Sequence, residues 1–426
     1  MTNRVVITGM GVVAPNATGL SAFEKAIKAG VSGIQFDKQL EELNFSCQIS
    51  GKPDLSDIDL SSYMSDLEMR NFNSSGILYG IIAGMDAWED AQLPLAGPED
   101  PAWEYGMIFG TGTSGIEKFR EAIYKIDAGE ARRLGSTAVL QTMNSGISAY
   151  LSGKLGLGNQ VTTNSSACST GTESILIAYE RIRSGQASVM LAGSTSDSGP
   201  YIWGGFDAMR VCTFKHNQSP PTGSRPLSAS ASGFVPGSGA GALVLESLEH
   251  AVARGAQIYA EVMGGHLNSG GQRRPGSMTA PNPAAVKRCI QMALKSSGTD
   301  ASEIDAVNGH LTATAMDSLE VRNWSEALGR SNRDFPFINS LKGMVGHCLS
   351  AAGSIECVAS VLQIHKNFLF PNINCEDIHP DITAIIDRER IPVKTEYRPV
   401  DVLIKASFGF GDVNACLILK KYAENG

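Results

Sequence analysis

Short apolar runs rich in Val, Ile and Gly alternate along this chain with segments whose apolar residues recur at helical spacing. Strand-like runs stand at RVVITGM (4–10), EYGMIFGTG (104–112), VTTNSSA (161–167) and SVMLAGS (188–194), while SAFEKAIKAG (21–30) reads as a helix. Runs that are continuously apolar rather than alternating predict strands covered on both faces, so the pattern points to an α/β architecture. After GALVLESLEHAVARG (241–255) the pattern begins again with IYAEVMGG, DAVNGHLTAT, FPFINSLKG and VLIKASFGFG. The chain therefore divides into two halves, residues 1–253 and 254–426. One segment of each half reads as strand, tight turn and amphipathic helix: VTTNSSACSTGTESILIAYERIRSG in the first and FPFINSLKGMVGHCLSAAGSIECVASVLQIHKN in the second. Ile175, Ile177, Ala178 and Ile182 form an apolar stripe, as do Ile355, Val358, Val361 and Leu362. The likeness points to an internal duplication.

Composition narrows the class. With 426 residues, 42% of them hydrophobic and 18% charged, the chain has the makeup of a globular protein with a large core. Its 46 glycines suit many tight turns at strand ends. A net charge of −8 argues against a nucleic-acid binder and against attraction to anionic lipid. No apolar run reaches the 18 residues a membrane span needs, and the opening VVITGMGVVA, with its β-branched residues and glycines, reads as strand and turn in place of a secretory leader. The eight scattered cysteines contain no C-x-x-C pair and read as reduced thiols of a cytoplasmic protein. The seven histidines lack metal-ligand spacing, so no metal is expected.

Candidate chemistry gathers at three turns. Cys168, in NSSACSTG, stands where a strand meets a helix, and a helix N-terminus is expected to lower its pKa and favour the nucleophilic thiolate. Small neighbours (Ser166, Ala167, Ser169, Gly171) leave room for a substrate. His310 opens the threonine-rich turn HLTAT, and His347 lies just before the matching helix of the second half. The glycine-rich turn Ser407–Gly411 offers backbone amides of the kind an oxyanion hole uses. The residues alone support a Cys–His nucleophilic site in an α/β fold.

The whole chain resembles the elongating β-ketoacyl-acyl carrier protein synthases of the thiolase superfamily. Six stretches carry the resemblance in order: RVVITGMGVVAP, NSSACSTG, SRPLSASASGFVPGSGAGALVLE, VNGHLTAT, LKGMVGHCLSAAG and SFGFG. It implies a duplicated five-layer αβαβα fold, thiolase-like, and a ping-pong decarboxylative Claisen condensation that needs no cofactor. Cys168 would carry the acyl group, and His310 and His347 would bind the malonyl thioester carbonyl. Lys342 and Glu320 match the family's ion pair behind the histidines. The amides of Cys168 and Phe410 would form an oxyanion hole, with Phe410 also the gate. Thr279, Thr312 and Thr314 fall where family threonines meet the pantetheine arm, and Phe408 and Thr113 where the substrate pocket is lined. Arg70, Arg132, Arg133 and Arg210 match a docking patch for the acidic acyl carrier protein. The assembly implied is a homodimer, or a heterodimer in which this chain is the active half.

The chain departs from the family at several places. Leu311 replaces a glycine, one residue is missing after Thr314, and Ala315 stands for a proline. Ser232 and Ser238 replace acidic residues, and Asp412 and Val413 replace Gly and Thr. Asp66 and Glu68 stand in a stretch that is often lysine-rich. These changes suggest a pigment, polyene or polyketide substrate, or a dedicated carrier protein, over a housekeeping fatty acid. Two alternatives are a coenzyme A-dependent thiolase-like enzyme, whose pattern has only one histidine beside the nucleophile, and a non-catalytic chain-length subunit, which lacks the cysteine.

Overall fold

The opening apolar run forms β1 (Val5–Ala14), a strand with every residue buried. The computed structural model describes residues 2–97, 99–271 and 279–423. Ten strands carry the architecture. In the first half they are β1, β2 (Tyr105–Thr111), β3 (Val161–Thr162), β4 (Val189–Ser196) and β5 (Gly239–Ser247). In the second half they are β6 (Ala260–Ser269), β7 (Ala306–Asn308), β8 (Phe337–Asn339), β9 (Val402–Gly409) and β10 (Val413–Lys420). The helices that matter here are α1 (Ser75–Asp90), α2 (Thr170–Arg183), α3 (Pro200–Ala208), α4 (Pro283–Ser297), α5 (Asp317–Leu328), α6 (Lys342–Val345) and α7 (Ala352–Lys366).

Strand order reveals the duplication. The first half runs β3-β2-β4-β5-β1 and the second β8-β7-β9-β10-β6, the same permutation of five strands. Directions repeat as well. β2 pairs parallel with β3 and β4, as β7 does with β8 and β9. The β4–β5, β5–β1, β9–β10 and β10–β6 pairs are all antiparallel. The halves join edge to edge where Val5–Ile7 of β1 meets Ala260–Val262 of β6, so the strands form one path, with Ala17–Thr18 alongside β1.

Three apolar clusters fill the spaces between layers. Ile77, Ile81 and Trp88 of α1 pack on Phe109, Leu191 and Val244 of the first half. Ile290 of α4 and Trp324 of α5 pack on Val307, Ile404 and Ile418 of the second. Between the two halves, α2 and α7 bury Ile175, Ile182, Ile355, Val358 and Leu362 in a shared central core. Helix, sheet, helix pair, sheet and helix give the five-layer αβαβα arrangement. Ile177, in the expected stripe of α2, is only partly buried against that core. Strand β3 is shorter than VTTNSSA predicts. Asn164 Nδ2 donates to Thr170 O at 3.0 Å and Ser166 Oγ donates to Glu173, and such local bonds end the strand before the helix. Among the described residues, no helix is long and apolar enough to cross a membrane.

Candidate active site

Cys168 lies in the single 3₁₀ turn Ala167–Ser169 between β3 and α2. Ala167 takes φ 49°, a left-handed conformation that costs a non-glycine residue energy and marks a sharp elbow. Hydroxyls hold the elbow: Ser166 N–H donates to Thr170 Oγ1 (2.9 Å), and Ser169 Oγ donates to Val413 O (2.9 Å) and Ser407 O (3.1 Å). A Cβ on Gly409 would come 3.1 Å from Cys168 N, so glycine lets the Ser407–Gly411 turn close over the nucleophile.

Cys168 Sγ is 3.1 Å from His347 Nε2, and the His310 ring centroid lies 5.4 Å from that of His347. One ligand-type atom from each of Cys168, His310 and His347 falls within 4.8 Å of the others, and all three residues are buried. Leu349 N–H donates to His347 Nδ1 at 3.2 Å. An Nδ1 that accepts leaves the ring proton on Nε2, so His347 presents an N–H donor toward Cys168. Burial holds both histidines well below their ordinary pKa, with Lys342 and Lys405 adding to the effect, so both are neutral imidazoles.

The thiol differs from the sequence expectation. Burial pushes Cys168 up to about 11, and the opposing pull of Lys342 and of the Phe410 amide only partly offsets it. The helix terminus does not make a resting thiolate, because the residue is too deeply desolvated.

His310 sits on a loop fixed by two buried carboxylates. Glu320 accepts the backbone N–H of His310 (2.7 Å) and Leu311 (2.8 Å) and the indole N–H of Trp324 (3.2 Å). Asp317 accepts from the amides of Thr312 (3.0 Å), Ala313 (3.2 Å) and Leu227 (3.0 Å). The same loop explains how Leu311 is tolerated in place of glycine: its φ is 25°, with the amide anchored on Glu320 and the side chain fully buried.

The expected Lys342–Glu320 ion pair is corrected here. Lys342 Nζ bonds Glu356 Oε1, and Lys405 Nζ bonds Glu356 Oε2 at 2.6 Å. Glu320 is committed to backbone amides on the far side of His310, so it acts as a loop anchor. Sequence reasoning missed Glu356, Lys405 and Asp317. A signal for the first two was present: Glu356 interrupts a helix face that is otherwise apolar, and Lys405 interrupts the strand VLIKASF. Charges almost never enter such positions unpaired.

Two cavities meet at Cys168 and Phe410. One, of about 310 Å³, is lined by Thr279, Thr312, Thr314 and Phe408 together with both histidines. The other, of about 230 Å³, is lined by Thr113, Tyr201, Ser350 and the two elbow residues Ala167 and Leu349. Phe410 faces both, with its ring 5.9 Å from that of Phe206. Arg70, Arg132, Arg133 and Arg210 are exposed and line neither cavity, and Arg133 pairs with Glu130 at 2.6 Å.

Comparison with known proteins agrees with this geometry. Residues 2–251 match the β-ketoacyl synthase N-terminal domain and residues 259–376 its C-terminal domain. A chloroplastic 3-oxoacyl-[acyl-carrier-protein] synthase I from Arabidopsis thaliana is 33% identical, over 98% of this chain and 87% of its own. A β-ketoacyl synthase from Burkholderia phymatum superposes with a TM-score of 0.88 at 29% identity, covering 99% of this chain and 100% of its own. A type II polyketide ketosynthase bound to a hexaketide, in complex with its acyl-carrier protein, reaches 0.86 at 28%, with the same coverage. A Cys–His–His site at the crossing of two duplicated α/β halves, matched along its length by condensing enzymes, places this chain in the β-ketoacyl synthase family.

Proposed function

We propose that this protein is a β-ketoacyl-acyl carrier protein synthase that condenses an acyl group held on Cys168 with a malonyl unit delivered by an acyl carrier protein. The observation that carries the reading is the cluster itself: a thiol 3.1 Å from an imidazole fixed as an N–H donor, with a second neutral imidazole beside it. In the first step the Cys168 thiol attacks the acyl thioester, the new S–acyl bond forms, and the carrier thiol leaves with the proton. The amides of Cys168 and Phe410 hold the transient oxyanion. In the second, His310 and His347 donate to the malonyl thioester oxygen as the C–CO₂ bond breaks, and the electron pair passes into an enolate. Neutral donors suit this step, because negative charge grows on that oxygen in the transition state. The enolate carbon then attacks the acyl-Cys168 carbonyl, a C–C bond forms, and Cys168 leaves as thiolate to recover a proton.

The 310 Å³ cavity suits the pantetheine arm, with Thr279, Thr312 and Thr314 along it, and the 230 Å³ cavity suits the acyl chain. Arg70, Arg132, Arg133 and Arg210 supply local positive charge for an acidic carrier protein despite the net charge of −8. The working unit is a homodimer, or a heterodimer like the ketosynthase/chain length factor among the structural neighbours. All eight cysteines are free and buried, which suits a reducing cytoplasmic setting.

Product analysis on Cys168→Gln tests the roles. The amide imitates an acylated thiol, so carbon dioxide release from malonyl-carrier protein should persist while condensation falls to background. Full condensation by this variant would remove Cys168 from the reaction.

A further inference from the structure

Behind the two histidines lies a cluster that the reaction as described does not use fully. Glu356 of α7 and Lys405 of β9 are buried to 1% and 0% exposure, and Lys342 of α6 to 1%. The Lys405 ammonium spends all three protons: on Glu356 Oε2 (2.6 Å), on Ser407 Oγ (3.0 Å) and on Ala406 O (2.5 Å). Ser407 in turn pairs with Thr172 Oγ1 at 2.9 Å, and its carbonyl accepts from Ser169, the residue after the nucleophile. Lys342 takes the other oxygen of the same carboxylate. Two cations thus share one anion in a dry interior, where a pair would already be neutral.

The fold does not demand this. In the first half, the positions that correspond to Lys405 in β9 and Glu356 in α7 are Ala192 in β4 and Ser174 in α2. The same architecture is built there from small, uncharged residues. A buried ion triad is also rarely a source of stability, because desolvation offsets the attraction. A second lysine that the scaffold does not need, next to the reacting groups, calls for a chemical reason.

We propose that Lys405 is a positioning residue of this active site: it divides the Glu356 carboxylate with Lys342 and so leaves one uncompensated positive charge buried behind His310 and His347. That charge opposes protonation of both imidazoles and keeps them N–H donors when the malonyl carboxylate arrives. It also favours the enolate and thiolate that appear during turnover. The groups around the histidines are few. Cys168 faces them from the elbow, Lys342 and Glu356 from α6 and α7, Lys405 from β9, and Asp317 and Glu320 from α5. The two α5 carboxylates already accept backbone amides. The inference rests on the condensing-enzyme reading only for its purpose, since the charge on the imidazoles can be measured without turnover.

The test is histidine-selective ¹³C NMR of the full-length protein, with Lys405→Met beside wild type. Removing the second cation leaves Glu356 paired with Lys342, so no buried charge is orphaned. The two buried imidazoles should bind protons about tenfold more readily, a midpoint about one pH unit higher. They should begin to titrate in a range where wild type stays neutral. Lys405→Arg should restore the wild-type pattern. Carbon dioxide release from malonyl-carrier protein should lose its acid limb in step, falling about tenfold at pH 5.5 relative to wild type while staying within about twofold at pH 8.5. A folded Lys405→Met whose imidazoles titrate as in wild type overturns the proposal. If Met at this position does not fold, Lys405→Gln, which keeps a bond to Ser407, takes its place. Failure of both to fold would make Lys405 a residue of the fold and equally overturn it. A wild-type protein that releases no carbon dioxide but shows the NMR shift would sink the condensing reading and leave Lys405 standing.

Discussion

Two elbows in this molecule have the same backbone and different fates. Ala167–Ser169 leads into α2 with Ala167 at φ 49°, and Leu349–Ala351 leads into α7 with Leu349 at φ 51°. The helices that follow cross at glycines. A Cβ on Gly171 would lie 2.3 Å from Ser354 N, and one on Gly353 would lie 2.6 Å from Thr172 N, so each half needs the other's glycine. Paired hydroxyls repeat too: Thr172 with Ser407 at 2.9 Å and Ser354 with Ser194 at 2.7 Å. Yet the first elbow presents Cys168, which touches both cavities, while the second presents Ser350, whose hydroxyl is spent on Thr195 O at 2.7 Å. The second half instead places chemistry upstream of its elbow. Residues 163–169 link β3 to α2, whereas 340–351 link β8 to α7, and the longer link holds α6, Lys342 and His347. Duplication supplied two equal scaffolds, and the site arose where their elbows meet, with the nucleophile from one and the donors from the other.

An exchange of the elbow side chains would break this comparison most severely. Condensation should fall at least about a thousandfold in Cys168→Ala. It should remain at that level when Ser350→Cys is added, because the second elbow points its group at Thr195 and has no imidazole beside it. Ser350→Ala alone should cost about 1 kcal/mol of stability by leaving the Thr195 carbonyl without its donor. Turnover by the double variant, measured as new β-ketoacyl product, would mean that the elbows are interchangeable and that the upstream insertion does not select between them.

Why the sequence led to some of this and not the rest follows from range. The strand-turn-helix repeats around Cys168 and His347 are local patterns, and they were legible because burial imposes a period on neighbouring residues. The five-layer arrangement entered through resemblance, since no local pattern says that two sheets share a helix pair. Ion-pair partners are the opposite case. Glu320 and Glu356 are both acidic residues on helices of the second half, and only the three-dimensional path of α7 decides that Glu356 is the one beside Lys342. The Cys168 thiol shows the same limit in energy. A helix terminus is visible in sequence, but the depth of burial that outweighs it is not.

The two elbows also differ in what holds the segments around them, and pH separates them. Hydroxyls that do not titrate hold the Cys168 elbow, whereas the His310 loop hangs on two carboxylates. Burial lifts Asp317 to about 6 and Glu320 to about 7. The folded protein therefore keeps protons that the unfolded chain, near 3.8 and 4.5, has released. With more protons bound when folded, stability declines as pH rises from about 4.5 to 7. Glu320→Gln should flatten that decline by on the order of 1–3 kcal/mol across the window. Denaturant titrations at several pH values measure it, and a slope equal to that of wild type would contradict the assignment of Glu320 as a buried, proton-holding anchor.

The smallest effect concerns the cavity that the elbows share. Ala167 and Leu349 stand on its wall and Thr113 lines it too, exposed in this chain. The Thr113 carbonyl accepts from Thr111 Oγ1 at 2.7 Å, while the Thr113 hydroxyl has no partner among the described residues. A β-branched hydroxyl that the protein does not occupy stiffens the wall and offers a polar contact to whatever chain enters. With Tyr201 and Phe206 beside it, this wall suits a rigid, unsaturated or aryl-bearing acyl group better than a long flexible saturated one. Thr113→Ile removes the hydroxyl and keeps the branch. In competition between saturated and polyunsaturated acyl-carrier proteins, wild type should favour the polyunsaturated chain. The variant should shift several-fold toward the saturated one, the scale of a single hydrogen bond of about 1 kcal/mol. An unchanged ratio, or a wild-type preference for the long saturated chain, would mean that the cavity between the elbows selects by size alone.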